Sequence, residues 1–287
     1  MVYLSEFTFP SYDEEYAYRL DRVKRTCYNT MYPFFVLSAH GLERLDFQPI
    51  TIFYGGNGSG KTTAINVIAE RLGLSRNALY NRSDFFGEYV KMCSHSFAAP
   101  LPEGSAVLAS DDVFAYMQDV RGINEGIDRR REELLEEYMK EKYADFRMRS
   151  LADYDELAKV CLARSKTQSG YVRSNLSKNV RERSNGESAF AYFEERIGER
   201  ALYLLDEPEN SLSPARQLAL SELLERFARF FGCQIVIATH SPFLLSLRGA
   251  KIYDFDADPV VIRRWTELEN VRILYDFFMS RRDQFET

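Results

Sequence analysis

Cysteine is scarce in this chain of 287 residues: Cys27, Cys93, Cys161 and Cys233 are scattered, with no pair at metal-ligand spacing. A disulfide framework is not implied at this length, so a reducing, cytoplasmic setting is the expectation. No apolar stretch approaches the roughly 20 residues that a membrane span needs. The first residues carry Glu6 and aromatics, with no basic stretch leading into an apolar one, so a secretory leader is not read there. A net charge of −6 argues against a surface that is basic all over. Histidine and tryptophan are rare, at three and one. The single Trp265 reads as core packing, and His40 and His95 as structural.

What is present is more specific. Gly55-Gly56-Asn57-Gly58-Ser59-Gly60-Lys61-Thr62-Thr63 fits the pattern G-x-x-x-x-G-K-[ST] of a phosphate-binding loop. Its glycines let successive amide N–H groups turn inward toward an anion. Lys61 brings a point charge to the terminal phosphates, and Thr62 offers a hydroxyl to Mg²⁺. Ile50-Thr51-Ile52-Phe53-Tyr54 before the loop predicts a buried strand. After it, Ile65, Ile68 and Leu72 recur at helical spacing, and Gly73 predicts the helix end. The helix N-terminus adds unpaired N–H groups and a partial positive charge, both favourable to phosphate.

Two further anchors lie far along the chain. Leu202 to Leu205 are continuously apolar and run into Asp206-Glu207, as expected of a central parallel strand ending in a ligand crevice. Asp206 suits Mg²⁺, and Glu207 suits the orientation of an attacking water. Gln234 to Thr239 predicts another strand, ending in His240. A histidine there is placed to sense the γ-phosphate and to couple that contact to the carboxylates.

The order of these three anchors resembles the ATP-binding cassette ATPase superfamily. Phe34-Phe35-Val36-Leu37 followed by Gly41 to Phe47 looks like the amino-terminal hairpin of RecF- and SMC-type heads, and Thr239 to Leu245 is similar to their histidine segment. Pro208-Glu209-Asn210-Ser211-Leu212 stands where that family has its D-loop, which crosses a dimer interface. Arg183-Ser184-Asn185-Gly186-Glu187-Ser188 resembles the signature sequence. The resemblance implies that Ser184 and Gly186 bind the γ-phosphate on a second subunit, with Arg181 or Arg183 close by. It also implies a magnesium-sensing glutamine, for which Gln118 or the group Ser110, Asp111 and Asp112 are weak counterparts. The signature departs from transporter form, so no membrane partner is expected.

The fold expected is α/β, a P-loop NTPase with a mixed, mostly parallel central sheet, an antiparallel amino-terminal hairpin and an inserted helical subdomain. One ATPase domain spans 1–287, with the insertion at 112–182. Between Arg121 and Arg149 eight basic and eight acidic residues alternate without sustained heptads, which suits a short exposed helical arm. Arg164, Lys166, Arg173, Lys178, Arg181 and Arg183 face a single acid, Glu182. That segment is a solvated face, a phosphate contact or a nucleic-acid contact. Ser213-Pro214 predicts a helix start, Lys251 to Phe255 a further strand, and Leu268 to Phe278 a closing helix. Tyr28, Tyr32 or Phe34 stack on adenine or pack in the core.

Two functions follow. One is a Mg²⁺-dependent ATPase that sandwiches two ATP molecules in a homodimer and drives a partner, such as a nuclease, in DNA maintenance or anti-phage defence. The other is an ATP-dependent binding switch for nucleic acid or protein with little turnover alone.

Overall fold

The computed structural model describes residues 1–22, 30–144, 154–176 and 185–285. They form two compact units, Met1–Phe114 with Asn185–Thr287, and Ala115–Ser184.

The first unit holds two sheets. The smaller is antiparallel, with β1 (Leu4–Thr8) between β2 (Arg44–Asp46) and β4 (Ser94–Phe97). The larger has the order β5-β6-β7-β3-β8-β9: β5 (Ala106–Ala109), β6 (Leu202–Asp206), β7 (Gln234–Thr239), β3 (Ile50–Tyr54), β8 (Lys251–Asp254) and β9 (Val261–Ile262). All neighbours are parallel except β8 and β9, so the sheet is mixed and mostly parallel. β3 and β7 are buried along their whole length, the pattern of strands covered on both faces. Gln234 is fully buried at the start of β7. Its side chain accepts from the amides of Tyr3 and Leu4 at 2.8 Å each and donates to the Leu4 carbonyl at 2.8 Å. One satisfied amide thereby ties the small sheet to the large one.

The antiparallel strands are not those read from the sequence. Phe34–Leu37 forms no strand; it lies in a turn in which Phe35 takes φ +63°, a left-handed value that no strand contains. Aromatic packing decides the matter. Phe34 stacks on Tyr18 of α1 (Tyr12–Arg22) at 4.7 Å and meets Tyr89 of α3 (Phe86–Met92) edge-on at 5.0 Å. The buried carboxylate of Glu15 also accepts from the Phe35 amide. The pairing partner of β2 is instead β1, from the first ten residues.

Helices flank the large sheet in sequence. α2 (Lys61–Leu72) follows the phosphate loop and ends at Gly73, whose φ of +66° closes the helix with bonds to Ala69 and Glu70. α4 (Ser110–Lys142) starts after β5 and continues into the second unit. α7 (Asn185–Arg196), α8 (Pro214–Phe230), α9 (Pro242–Leu245) and α10 (Glu269–Met279) belong to the first unit. α8 buries Leu220, Leu223, Leu224 and Ala228, the expected stripe. Trp265 overturns its sequence reading: it sits in a single 3-10 turn and is 39% exposed. The chain turns there beyond β9, the edge strand of the sheet.

The second unit contains the rest of α4 with α5 (Tyr154–Ser165) and α6 (Gln168–Asn175). Its buried cluster is small: Leu134, Tyr138, Ala163, Tyr171 and Val172. Arg130 bridges Glu133 at 2.8 Å and Glu137 at 3.0 Å on the α4 surface, pairs of a kind that add only tenths of a kcal/mol each. Among the described residues no helix is long and apolar enough to cross a membrane.

Candidate nucleotide site

The three sequence anchors meet at one edge of the sheet, where the parallel strands end. β7 lies between β3 and β6, so His240 emerges between the phosphate loop and the acid pair. The loop itself is conditioned by two glycines. Gly60 takes φ +95° as the residue before α2, a conformation costly to any residue with a Cβ. Gly55 has no room: a Cβ would lie 2.5 Å from Ser59 Oγ and 3.0 Å from Asp256 Oδ1. Asp256 also accepts from the Gly56 amide, at 2.8 and 2.9 Å. Gly56, Asn57 and Gly58 are exposed, while Ser59 Oγ is buried without a hydrogen-bond partner.

Lys61 is 3% exposed and its ammonium donates to the carbonyls of Gly55 and Gly56, each at 2.8 Å. It also lies 3.8 Å from Glu207 Oε1. Thr62 Oγ1 donates to Asp206 Oδ1 at 3.0 Å, across 144 residues of sequence. Burial pushes the Asp206 carboxyl up to about 6, against the opposing pull of the Thr62 hydroxyl; Glu207 adds to the rise, and Lys61 and Arg76 oppose it. Thr63 is buried and shares a hydrogen bond with the Tyr32 hydroxyl at 3.2 Å.

Glu207 adopts φ +47°, ψ +52°, a left-handed conformation of a kind that persists only where neighbours enforce it. Its amide donates to the Ala238 carbonyl at 2.9 Å, and Asn210 Nδ2 donates to its Oε2 at 3.0 Å. The 3-10 turn Pro208–Ser211 thus braces the carboxylate. Glu209, from the same turn, accepts from Thr239 Oγ1 at 2.6 Å and from the His240 amide at 2.9 Å, and lies 3.4 Å from His240 Nδ1. Sequence reasoning placed His240 with Asp206 and Glu207. In the structure the carboxylate beside it is Glu209. The only sequence signal for this was a third acid two positions beyond the pair.

Other expectations scatter. Ser184, Arg181, Arg183, Lys178 and Tyr28 lie outside the described residues. Gly186 stands in the first turn of α7. Within the basic segment, Arg164 donates to the Ala144 carbonyl at 2.7 Å and Lys166 to Ser174 Oγ at 3.0 Å, so both are engaged inside the second unit. Gln118 is exposed on α4. Asp112 is nearer the site: it is 4% exposed, its Oδ2 accepts from the Ala109 amide at 2.9 Å, and Ala109 pairs with Asp206 across the sheet. Phe34 is core.

The donor set suits a magnesium–nucleotide complex. An orphaned buried hydroxyl beside the buried ammonium of Lys61 fits an anion, and a hydroxyl–carboxylate pair fits a hard cation that takes oxygen ligands.

Residues 177–246 match the family model described as "AAA domain, putative AbiEii toxin, Type IV TA system". No curated protein matches the sequence. Among solved structures the chain is similar to the SMC head domain from Thermotoga maritima, at 13% identity and a TM-score of 0.37, over 91% of this chain and 98% of that one. It is similar to an Smc head with an extended coiled coil, bound to the C-terminal domain of ScpA, from Pyrococcus furiosus. There the identity is 12% and the TM-score 0.45, over 96% and 100% of the two chains. A dimeric ATP-binding cassette in a post-hydrolysis state with ADP and Pi is similar at 12% identity and a TM-score of 0.36, over 77% and 88%. The matched segment takes in Asp206, Glu207, Glu209 and His240, while the phosphate loop lies before it in the chain.

Proposed function

We propose that the chain hydrolyses Mg-ATP at this site, that two copies close around two nucleotides, and that the closure drives a partner in DNA maintenance or anti-phage defence. The observation that carries the catalytic part is the convergence of Thr62 on Asp206 and of Lys61 on Glu207, at 3.0 and 3.8 Å. Residues 144 and 146 positions apart meet only because β3 and β6 end at the same edge.

In this reading the loop from Gly55 to Thr63 cradles the phosphates, and Lys61 exchanges its two carbonyl partners for phosphate oxygens. Thr62 and Asp206 hold Mg²⁺, which when bound neutralises charge across the terminal phosphates. Glu207, held by Asn210, orients the attacking water, and His240 reads the γ-phosphate. Positioning and charge neutralisation account for most of phosphoryl-transfer catalysis, so these residues are sufficient in kind. Ser184 and Gly186 complete the second half of each site from the other copy.

Light scattering of Glu207→Gln with and without Mg-ATP, alongside phosphate release by the wild type, tests the proposal. A monomer-to-dimer shift with wild-type turnover supports it. A nucleotide-bound monomer removes the shared site, and a dimer without turnover leaves the binding switch.

A further inference from the structure

We infer that Glu209 is the positioning residue of His240, a role that rests on the ATPase reading above. The Glu209 side chain is 4% exposed, and a buried carboxylate is costly unless donors or a cation compensate it. Among the described residues no lysine or arginine lies within 4 Å of it; the ionisable group beside it is His240, at 3.4 Å through Nδ1. Oε1 receives the Thr239 hydroxyl and the His240 amide, while Oε2 is buried without a partner. The backbone of His240 is fixed from the other side as well, since Asn270 Nδ2 donates to its carbonyl at 2.6 Å.

This arrangement orients one ring nitrogen toward the protein and frees the other. Nδ1 lies 3.4 Å from Oε1 and can donate to it only when it carries a proton. Nε2 remains on an imidazole that is 48% exposed. An N–H on Nδ1 would meet the buried carboxylate, and an N–H on Nε2 is the donor that an anionic phosphate accepts from. The next residue of the same turn, Asn210, braces Glu207. One four-residue turn therefore sets both the water-orienting carboxylate and the phosphate-reading imidazole, and a displacement of the turn moves the two together.

The experiment uses the full chain as wild type, Glu209→Gln, His240→Ala and the double variant, read by steady-state phosphate release and by ¹⁵N spectra of histidine-labelled protein. Glu209→Gln is expected to lower kcat about 10- to 100-fold, the scale on which partners orienting a functional imidazole act, with KM within about 2-fold. The double variant should be no slower than His240→Ala, because a residue acting through another adds nothing once that one is gone. Full additivity, or wild-type turnover in Glu209→Gln, overturns the inference. Absence of turnover in the wild type refutes the ATPase reading instead, and the spectra then decide. With three histidines, His240 is assigned by its loss in His240→Ala. Protonated Nδ1 in the wild type, displaced in Glu209→Gln while His40 and His95 stay put, supports the role. A wild-type ring protonated on Nε2 alone refutes it, a readout that stands even where Glu209→Gln does not fold.

Discussion

The two ends of the parallel sheet make opposite impressions. At the N-terminal ends of β3 and β8 lies an open groove of about 920 Å³ with Arg248, Lys251, Arg263, Arg264 and Trp265 among its lining residues. By size and composition it looks like a binding site. Yet two of its four cations are paired: Lys251 lies 3.9 Å from Asp46 and Arg263 lies 3.3 Å from Asp254. At the other end the chemistry is unfinished. Ser59 Oγ, Asp112 Oδ1 and Glu209 Oε2 are buried without partners, Glu207 is held left-handed, and the half-buried Asp206 is pushed up to about 6. Unsatisfied polar atoms and local strain persist where something else repays them.

Predictions that break or sharpen this contrast begin with Glu207. Glu207→Gln keeps the shape and the Asn210 contact but removes the charge, so turnover should fall about 100- to 1,000-fold while nucleotide affinity stays within about 3-fold. A stopped-flow binding measurement beside phosphate release checks both halves.

Next comes Asp206 in the nucleotide-free protein. Its carboxyl, at about 6 when folded against the ordinary 3.8, binds a proton more tightly in the folded chain. The associated stability is therefore complete below about pH 4 and lost as pH rises through 6. Asp206→Asn removes that dependence and should gain about 2 kcal/mol over the wild type at pH 7 relative to pH 4. Urea titrations of both proteins across that range measure the difference, and parallel curves would mean that the site carries no such strain.

Gly60→Ala follows. At φ +95° alanine is strained, and its Cβ would lie 3.1 Å from Leu37 Cδ2. A cost on the order of 1–2 kcal/mol for the loop corresponds to roughly 10-fold weaker ATP binding by calorimetry, with the melting temperature little changed.

How much of this was legible in the sequence depends on whether a feature is local. The strand Ile50–Tyr54, the glycine loop, the helix ending at Gly73 and the strand running into Asp206 all follow from contiguous residues, because apolar runs, Gly conformations and caps act over a few positions. Two features escaped. Phe34–Leu37 has strand-forming composition, but Tyr18 and Tyr89 from separate helices claim Phe34 and bend the segment. Glu209 reads as the third acid of a polar turn, and its partnership with His240 exists only because β6 and β7 are neighbours in the sheet. Trp265 misled for the complementary reason: a large apolar ring defaults to the core, and nothing in its neighbours in sequence announces that the turn beyond the edge strand leaves it 39% exposed.

The smallest expected effect is the most direct test of the contrast. Trp265→Ala in the groove removes a side chain 39% exposed that stands in no described aromatic stack. Stability should change by less than about 1 kcal/mol, and phosphate release by less than about 2-fold. Because this is the only tryptophan in the chain, the wild-type protein reports on its own groove. Intrinsic fluorescence indifferent to Mg-ATP would show an end of the sheet that the site does not address. A tenfold fall in turnover for Trp265→Ala, or a large ATP-dependent emission change, would mean that this groove belongs to the working cycle.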